Sequence, residues 1–526
     1  MKKVLALIIC VLLSFSITAC KDGATPENNN FSDNSATKVT KKENKKNKGG
    51  KSTSLSLYFS YSDSLDPYKS QSAGNRGVCS LLFDSLVKLD NDLNPQNLIA
   101  SNVEVSGKTI AVTLNSYQFS DGSYIDADDV VYSIGRCKGA KVGDYAGQLE
   151  NVKSYQVSDG KVYITLKRYD KNASRLLDFP ILKEGTANKT NDDGKHIPPI
   201  GSGRYIFVDN KGEYSLVANE NYFGAKAVNT IALKNIPDYD ALEYLIRSGS
   251  IDVYYSGFDL VEMPELKGTT KNVNLTNLVY VGINQKYGAL NDKNVRSALS
   301  FAVDRSDISE KCYYSLSKPA LSLYNDGNSI IKGEKVVFNL EDNASSATTA
   351  LAKSGYDTLN KEGYYQNEKG EVIVLSLLYN SENNVQSMVA QTLVKNFKSC
   401  GIKVTLNGVP ANEYKSAVNN GNYQLYVAEI RLTKSFDYTN MLNYPKNVLL
   451  KPNGKGKNNV DFSKTYEKYM KGETTVEEMQ ESFFNEMPFI PLVFRQGTVT
   501  YRENFSKELI SSISDPYYNI EQIHLK

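Results

Sequence analysis

From Ser54 to the end of the chain, stretches in which apolar and polar side chains alternate every second residue take turns with stretches of helical spacing. That alternation restricts the body to α/β architecture and argues against a bundle or a sandwich. Residues 54–60 (SLSLYFS) read as a strand running into the turn-former Leu65-Asp66-Pro67. The strand period returns at 109–114, 162–166, 251–255, 278–283, 423–430 and 490–494, and in a hairpin at 205–208 and 214–218. Helical spacing appears at 78–89, at 127–134 with Asp126 as N-cap, at 240–248, at 291–303 and at 476–484. Residues 372–378, 384–399 and 402–406 make a β-α-β unit. A length of 526 residues leaves room for roughly three to four domain-sized units.

The amino terminus points outside the cytoplasm. Lys2 and Lys3 precede an apolar run at 4–13, too short for the ~20 residues that span a bilayer but suited to a secretory signal. It leads to Ile17-Thr18-Ala19-Cys20, which resembles a bacterial lipobox with Cys20 as the lipid-modified first residue; the alternative is ordinary cleavage nearby. Residues 1–19 then form a lipoprotein signal peptide. Residues 20–52, rich in Lys and Asn, read as a disordered tether. Residues 38–51 hold seven lysines against Glu43 alone, a local +6; the whole chain is at +2, so the body from 52 onward sits at −4. A mildly acidic body argues against nucleic acid as the main partner. Anchoring would take lipid, because no second apolar run exists.

Catalytic and metal-binding signatures are missing. The only histidines are His196 and His524, and there is no HExxH, GxSxG or Walker loop. Asp90-Asn91-Asp92 begins like a calcium loop, but Pro95 stands where the turn glycine belongs and Ser101 where the glutamate belongs. Cys79, Cys137, Cys312 and Cys400 are widely spaced and read as buried small hydrophobes. No cofactor, no metal and no reaction are expected.

Ten runs, in order, carry a family resemblance. They begin with Ser64-Leu65-Asp66-Pro67, Leu82-Phe83-Asp84-Ser85-Leu86-Val87, Tyr117-Gln118-Phe119-Ser120-Asp121-Gly122 and Ala127-Asp128-Asp129-Val130-Val131-Tyr132-Ser133. Pro199-Ile200-Gly201-Ser202-Gly203-Arg204-Tyr205, Asn219-Glu220-Asn221-Tyr222-Phe223 and Ser248-Gly249-Ser250-Ile251-Asp252 follow. Val295-Arg296-Ser297-Ala298-Leu299 with Asp304-Arg305, then Gly401-Ile402-Lys403-Val404 and Pro488-Phe489-Ile490-Pro491-Leu492, complete the series. From about Leu55 to about Tyr501 the chain resembles the family 5 extracellular solute-binding proteins, the peptide-binding components of ATP-binding-cassette importers. Most of these runs are scaffold: Gly201-Ser202-Gly203 is expected in a tight turn, and Arg296 and Asp304-Arg305 around a helix start.

The resemblance implies a two-lobed periplasmic-binding-protein-like α/β fold of the large type II, peptide-binding subclass, with an extra subdomain in the N-terminal lobe. Lobe 1 would comprise 53–84, 191–276 and 486–526, with 85–190 as the extra subdomain; lobe 2 would be 277–485. The hinge crossings would fall near 274–278 and 486–491. The implied function is capture of a small peptide between the lobes and its delivery to importer permease subunits, by a monomer anchored to the outer face of a bacterial cell membrane. Rival readings are an oligosaccharide or metal-chelate binder, a peptide-sensing co-receptor and an extracellular hydrolase. In peptide-binding relatives, strand edges from both lobes pair with the ligand backbone, and the matching positions are Ser72, Ala73 and Gly74 in lobe 1 and the chain from Gly421-Asn422-Tyr423 onward in lobe 2. An aspartate followed by tyrosine holds the peptide ammonium, here Asp437-Tyr438; the alternative for Asp437 is an exposed loop aspartate. The chain departs from the pattern in lacking Trp altogether and in carrying Gln424 where the family has an acid. Glu429 and Arg431 are either contacts to a charged ligand or members of a surface ion-pair lattice.

Overall fold

The computed structural model describes residues 54–191, 194, 196–236, 239–257, 268–332, 344–442 and 462–526. Cys20 and the tether at 20–52 lie outside them. Among the described residues no helix is long and apolar enough to cross a membrane.

Buried apolar side chains gather into two large cores. One takes residues from the N-terminal half, such as Leu55, Val78, Ile110, Ile164 and Leu216, together with Val499, Tyr517 and Ile523 near the C-terminus. The other takes Leu278, Val295, Leu377, Leu393, Val427, Phe483 and Ile490, joined by Leu89 and Leu93. Each core is the filling of one lobe. In the first lobe, Ser54–Phe59 pairs parallel with Thr230–Asn235, and the hairpin Tyr205–Asn210/Glu213–Ala218 extends that sheet to four strands. A second four-stranded antiparallel sheet is built from Ala100–Ser106, Thr109–Leu114, Lys161–Leu166 and Val152–Ser158.

A seven-stranded sheet passes through both cores. Its spine is the long strand Thr269–Ile283, antiparallel to the long strand Phe489–Tyr501. The half 269–274 pairs with 496–501 against the first core, and the half 278–282 pairs with 489–494 in the second. A register shift separates Asn274 from Leu278, within the first expected crossing. The second crossing differs from the sequence reading. Phe489, Ile490, Leu492, Val493 and Phe494 pack in the second core, so the C-terminal strand changes lobe at 495–498, not at 486–491. Reading 489–494 as the start of lobe 1 failed because a register shift in the partner strand leaves no mark on this strand's own apolar pattern.

Local chemistry explains the element starts. Asp126 accepts from the backbone of Asp128 and Asp129 while the Asp129 side chain reaches back, a complete capping box for the helix Ala127–Gly139. Asn383 caps the helix Asn384–Ser399, and Asp304 caps Arg305–Tyr313. The helix expected at 78–89 instead runs Ala73–Leu82, because Ser72 caps it and Phe83 turns extended. Arg296 is fully buried and donates to the carbonyls of Leu290, Asn291, Glu486 and Met487, tying a helix to the chain that enters the C-terminal strand. Gly201 and Gly203 are needed for close approach: a Cβ there would lie 2.2 Å from the Leu82 carbonyl oxygen and 2.3 Å from that of Leu81. All four cysteines beyond residue 78 are buried, and none is in a disulfide.

Candidate functional site

The two lobes meet along a polar seam that holds a partly open cavity of about 250 Å³. Residues 144–148, Glu150, Tyr255 and Ile513 line it from the first lobe; Asn277, residues 430–434, Asp437 and Asn440 line it from the second. A larger hollow of about 770 Å³ lies elsewhere, on the first lobe alone, between residues 197–201 and the strand Tyr205–Asn210. It involves nothing from the second lobe and none of the expected site residues, whereas the 250 Å³ cavity holds Arg431 and Asp437 and is the candidate site; a second interlobe hollow, of about 440 Å³, lies beside it across Arg168.

The strand Leu425–Arg431 brings the second lobe's wall to the cavity. One of its edges is paired from Asn277↔Arg431 to Ile283↔Leu425. The strand Val374–Asn380 covers the other edge only at Leu425 and Tyr426, and the Tyr414 hydroxyl occupies the Val427 carbonyl at 2.6 Å. Ala428, Glu429 and Ile430 are therefore covered on that side by no strand among the described residues.

Charged groups close the seam in pairs. Arg431 donates to the Gly143 carbonyl at 2.7 Å and meets Asp144 at 3.6 Å. Asp144 also meets Arg76 at 3.3 Å, so one arginine from each lobe grips one carboxylate. Lys434 meets Asp178 at 2.6 Å with its ammonium over the Tyr145 ring, and Asn440 donates to Glu150 at 2.8 Å. Asp437 accepts from Arg168 at 3.1 Å on one oxygen and from the Thr439 N–H at 2.8 Å on the other. Asp170, buried just across the seam, is pushed up to about 7, by burial first and the charge of Asp437 second.

The expected site residues separate into two groups. Arg431 and Asp437 line the cavity. Ser72, Ala73 and Gly74 do not. They start a helix instead of offering an extended edge: Ser72 accepts from the Asn75 N–H and donates to Asp63, Ala73 is buried, and Gly74 lies against the Tyr58 ring. Glu429 is held inside its own lobe by Asn277 at 2.8 Å and Arg495 at 3.3 Å. Tyr438 is a core residue, fully buried, its ring stacked on Phe489 and edge-on to Tyr466, its hydroxyl donating to the Leu323 carbonyl. Sequence reasoning missed Asp144, Arg168, Asp170, Asp178 and Lys434. The available signals were Gly143-Asp144-Tyr145-Ala146-Gly147, a polar loop framed by glycines, and the dense charges of 167–171 at a strand end. Among the described residues no group of three His, Cys, Asp or Glu is placed to hold a metal ion.

Two α/β lobes joined by continuous strands around a shared polar cavity define a binding protein of the clamshell kind. The model of the bacterial extracellular solute-binding proteins, family 5, matches residues 94–451, and the chain belongs to that family. It is 28% identical over 349 residues to the oligopeptide-binding protein AppA of Bacillus subtilis, a match covering 62% of this chain and 63% of AppA, just under two thirds of that relative. It is 21% identical over 559 aligned positions to OppA of the same organism, covering 97% and 98%. The unliganded open form of MppA, a periplasmic murein tripeptide binding protein, shares the fold with a TM-score of 0.69 at 18% identity, over 90% of this chain and 98% of that one.

Proposed function

We propose that this protein captures a peptide in the interlobe cavity and hands it to the membrane subunits of an ATP-binding-cassette importer, without altering it. The observation that carries the reading is the meeting of the uncovered end of a strand, Ile430 and Arg431, with a carboxylate, Asp437, in the wall of one interlobe cavity. A peptide backbone laid along that edge gains a net ~1 kcal/mol per hydrogen bond. Its ammonium replaces Arg168 on Asp437. Because the ligand touches both walls only when they meet, its differential affinity favours the closed state. The oligopeptide-binding relatives support the choice of peptide. The lobes divide, on this reading, at 53–84 with 191–276 and 496–526, at 85–190, and at 277–495. The chain acts as a monomer, held at the outer face of the membrane by lipid on Cys20.

The test compares free and N-acetylated forms of one peptide by calorimetry. A charge-assisted bond in a closed cleft is worth ~1.5–3 kcal/mol. Asp437→Asn is therefore expected to weaken the free peptide roughly 10- to 100-fold and to leave the acetylated one unchanged. Equal loss for both would remove Asp437 from that role. Absence of binding for every peptide would remove the peptide reading.

A further inference from the structure

The Arg168–Asp437 pair is a partition as well as a contact. Asp437 lines the interlobe cavity of about 250 Å³, whereas Arg168 lines the second interlobe hollow, of about 440 Å³. An ion pair of 3.1 Å stands between the two spaces. The inference that follows rests on the peptide reading, in which a ligand ammonium displaces Arg168 from Asp437, and it concerns what the arginine then holds.

The two spaces differ in charge. In the smaller one Arg431 meets Asp144, Lys434 meets Asp178 and Glu150 accepts from Asn440, so each charge has a partner. The larger one is cationic. Lys108, Arg168 and Tyr169 line it from the first lobe, and Tyr466, Glu467 and Lys471 from the second. Glu467 is the only carboxylate among the described residues that line it, and Lys471 engages it from one helical turn on, at 2.8 Å. The Lys108 ammonium meets the Lys167 carbonyl at 3.1 Å and lies 5.0 Å from the centre of the Tyr169 ring; no described carboxylate pairs with it.

Arg168 is short of acceptors. One terminal nitrogen donates to Asp437, while its Nε–H is buried and meets no acceptor among the described residues. These two groups are the prongs of a fork that matches both oxygens of one carboxylate. Asp437 fills a single prong, because its other oxygen takes the Thr439 N–H. A ligand ammonium arriving on Asp437 strands the partly buried guanidinium, which is costly. A carboxylate on the same ligand removes that cost and fills both prongs. Arg168 and Asp437 are in contact, so the two ligand charges have to lie within a few bonds of each other. The α-ammonium and side-chain carboxylate of an amino-terminal glutamate or aspartate meet that condition. The terminal carboxylate of an extended tripeptide does not, since the chain advances ~3.3 Å per residue.

We propose that the ligand is a peptide whose first side chain is acidic, its ammonium held by Asp437 and its side-chain carboxylate by Arg168 within the field of Lys108.

The experiment is calorimetry on the full mature protein. The probes are three alanine tripeptides amidated at the C-terminus, with glutamate, glutamine or alanine as the first residue, and trialanine with a free carboxylate. The wild type is expected to bind the glutamate peptide at least roughly tenfold more tightly than the glutamine one, the difference between a charge-assisted bond and a neutral bond. Arg168→Gln is expected to erase that preference by weakening the glutamate peptide, while the glutamine peptide keeps or gains affinity because Asp437 has lost a competitor. A merely structural role would weaken both. Lys108→Gln, at an exposed position, is expected to narrow the preference without abolishing it. Equal binding of the two peptides by the wild type would overturn the inference and leave the peptide reading standing. A preference that survives both variants would overturn the roles of Arg168 and Lys108. Free trialanine binding as tightly as the glutamate peptide would move the carboxylate to the end of the chain and overturn the side-chain assignment. No binding of any peptide would remove the peptide reading and this inference with it.

Discussion

Asp170→Asn gives the sharpest quantitative test of the seam. Asp170 is 1% exposed, on the first lobe, where one oxygen accepts the Asn172 N–H at 2.9 Å. Asp437 and Ser435 face it from the second lobe and Arg175 from its own. Burial and Asp437 raise its carboxyl to about 7, while Ser435, the Asn172 N–H and Arg175 pull it down. The unfolded chain releases that proton near ~3.9. Between these values the native state binds the extra proton, so stability from this group is full below pH ~4, falls as pH rises and is gone above ~7. From pH 5 to pH 8 the loss integrates to about 2–3 kcal/mol. Asparagine has nothing to titrate. The melting temperature of Asp170→Asn, measured against the wild type by scanning calorimetry, should therefore gain on it by about 5–10 °C between pH 5 and pH 8. That range takes 2–4 °C per kcal/mol for a unit of lobe size. A difference between the two proteins that stays constant across that range would refute the reasoning.

Arg296→Met should cost about 3–5 kcal/mol of stability in urea unfolding, because it strands four carbonyls that one buried guanidinium now serves. A loss below about 1 kcal/mol would mean that the carbonyls find other donors. Gly203→Ala should lower the first lobe's melting temperature, since its Cβ would press on the Leu81 carbonyl oxygen at 2.3 Å and such overpacking costs about 1–3 kcal/mol; an unchanged melt counts against it. Cys20→Ser should move the protein from the detergent phase to the aqueous phase in cells labelled with fatty acid, and persistence of label on the variant would sink the anchor.

What the sequence made legible was local. The capping box at Asp126 and Asp129, the strand 109–114 and the helix 384–399 depend on neighbours within a few residues, and each appears in the structure where the pattern put it. Ser72 shows the limit of that approach. It is itself a good cap, yet the family pattern drew attention to an extended edge, and the helix it starts went unread. The half 269–274 of the long strand was missed because it is mostly polar and takes its order from pairing with 496–501, more than two hundred residues away. Tyr438 looked like a ligand contact beside Asp437, but Phe489 and Tyr466 bury it. Arg168 and Asp437 stand 269 residues apart in the chain, and no periodicity reports such a pair. Charges that meet across the seam are legible in three dimensions alone.

The passage between the lobes is not a slack linker. Thr269–Ile283 and Phe489–Tyr501 run through it side by side as a hydrogen-bonded ribbon, interrupted by register shifts between Asn274 and Leu278 and between Val279 and Tyr280. A ladder of this kind resists sliding, because every rung would have to break together, but it yields to twist where the rungs are interrupted. Opening is thus a torsion about a fixed axis, and each return swing brings the same teeth into the same notches without a fresh search.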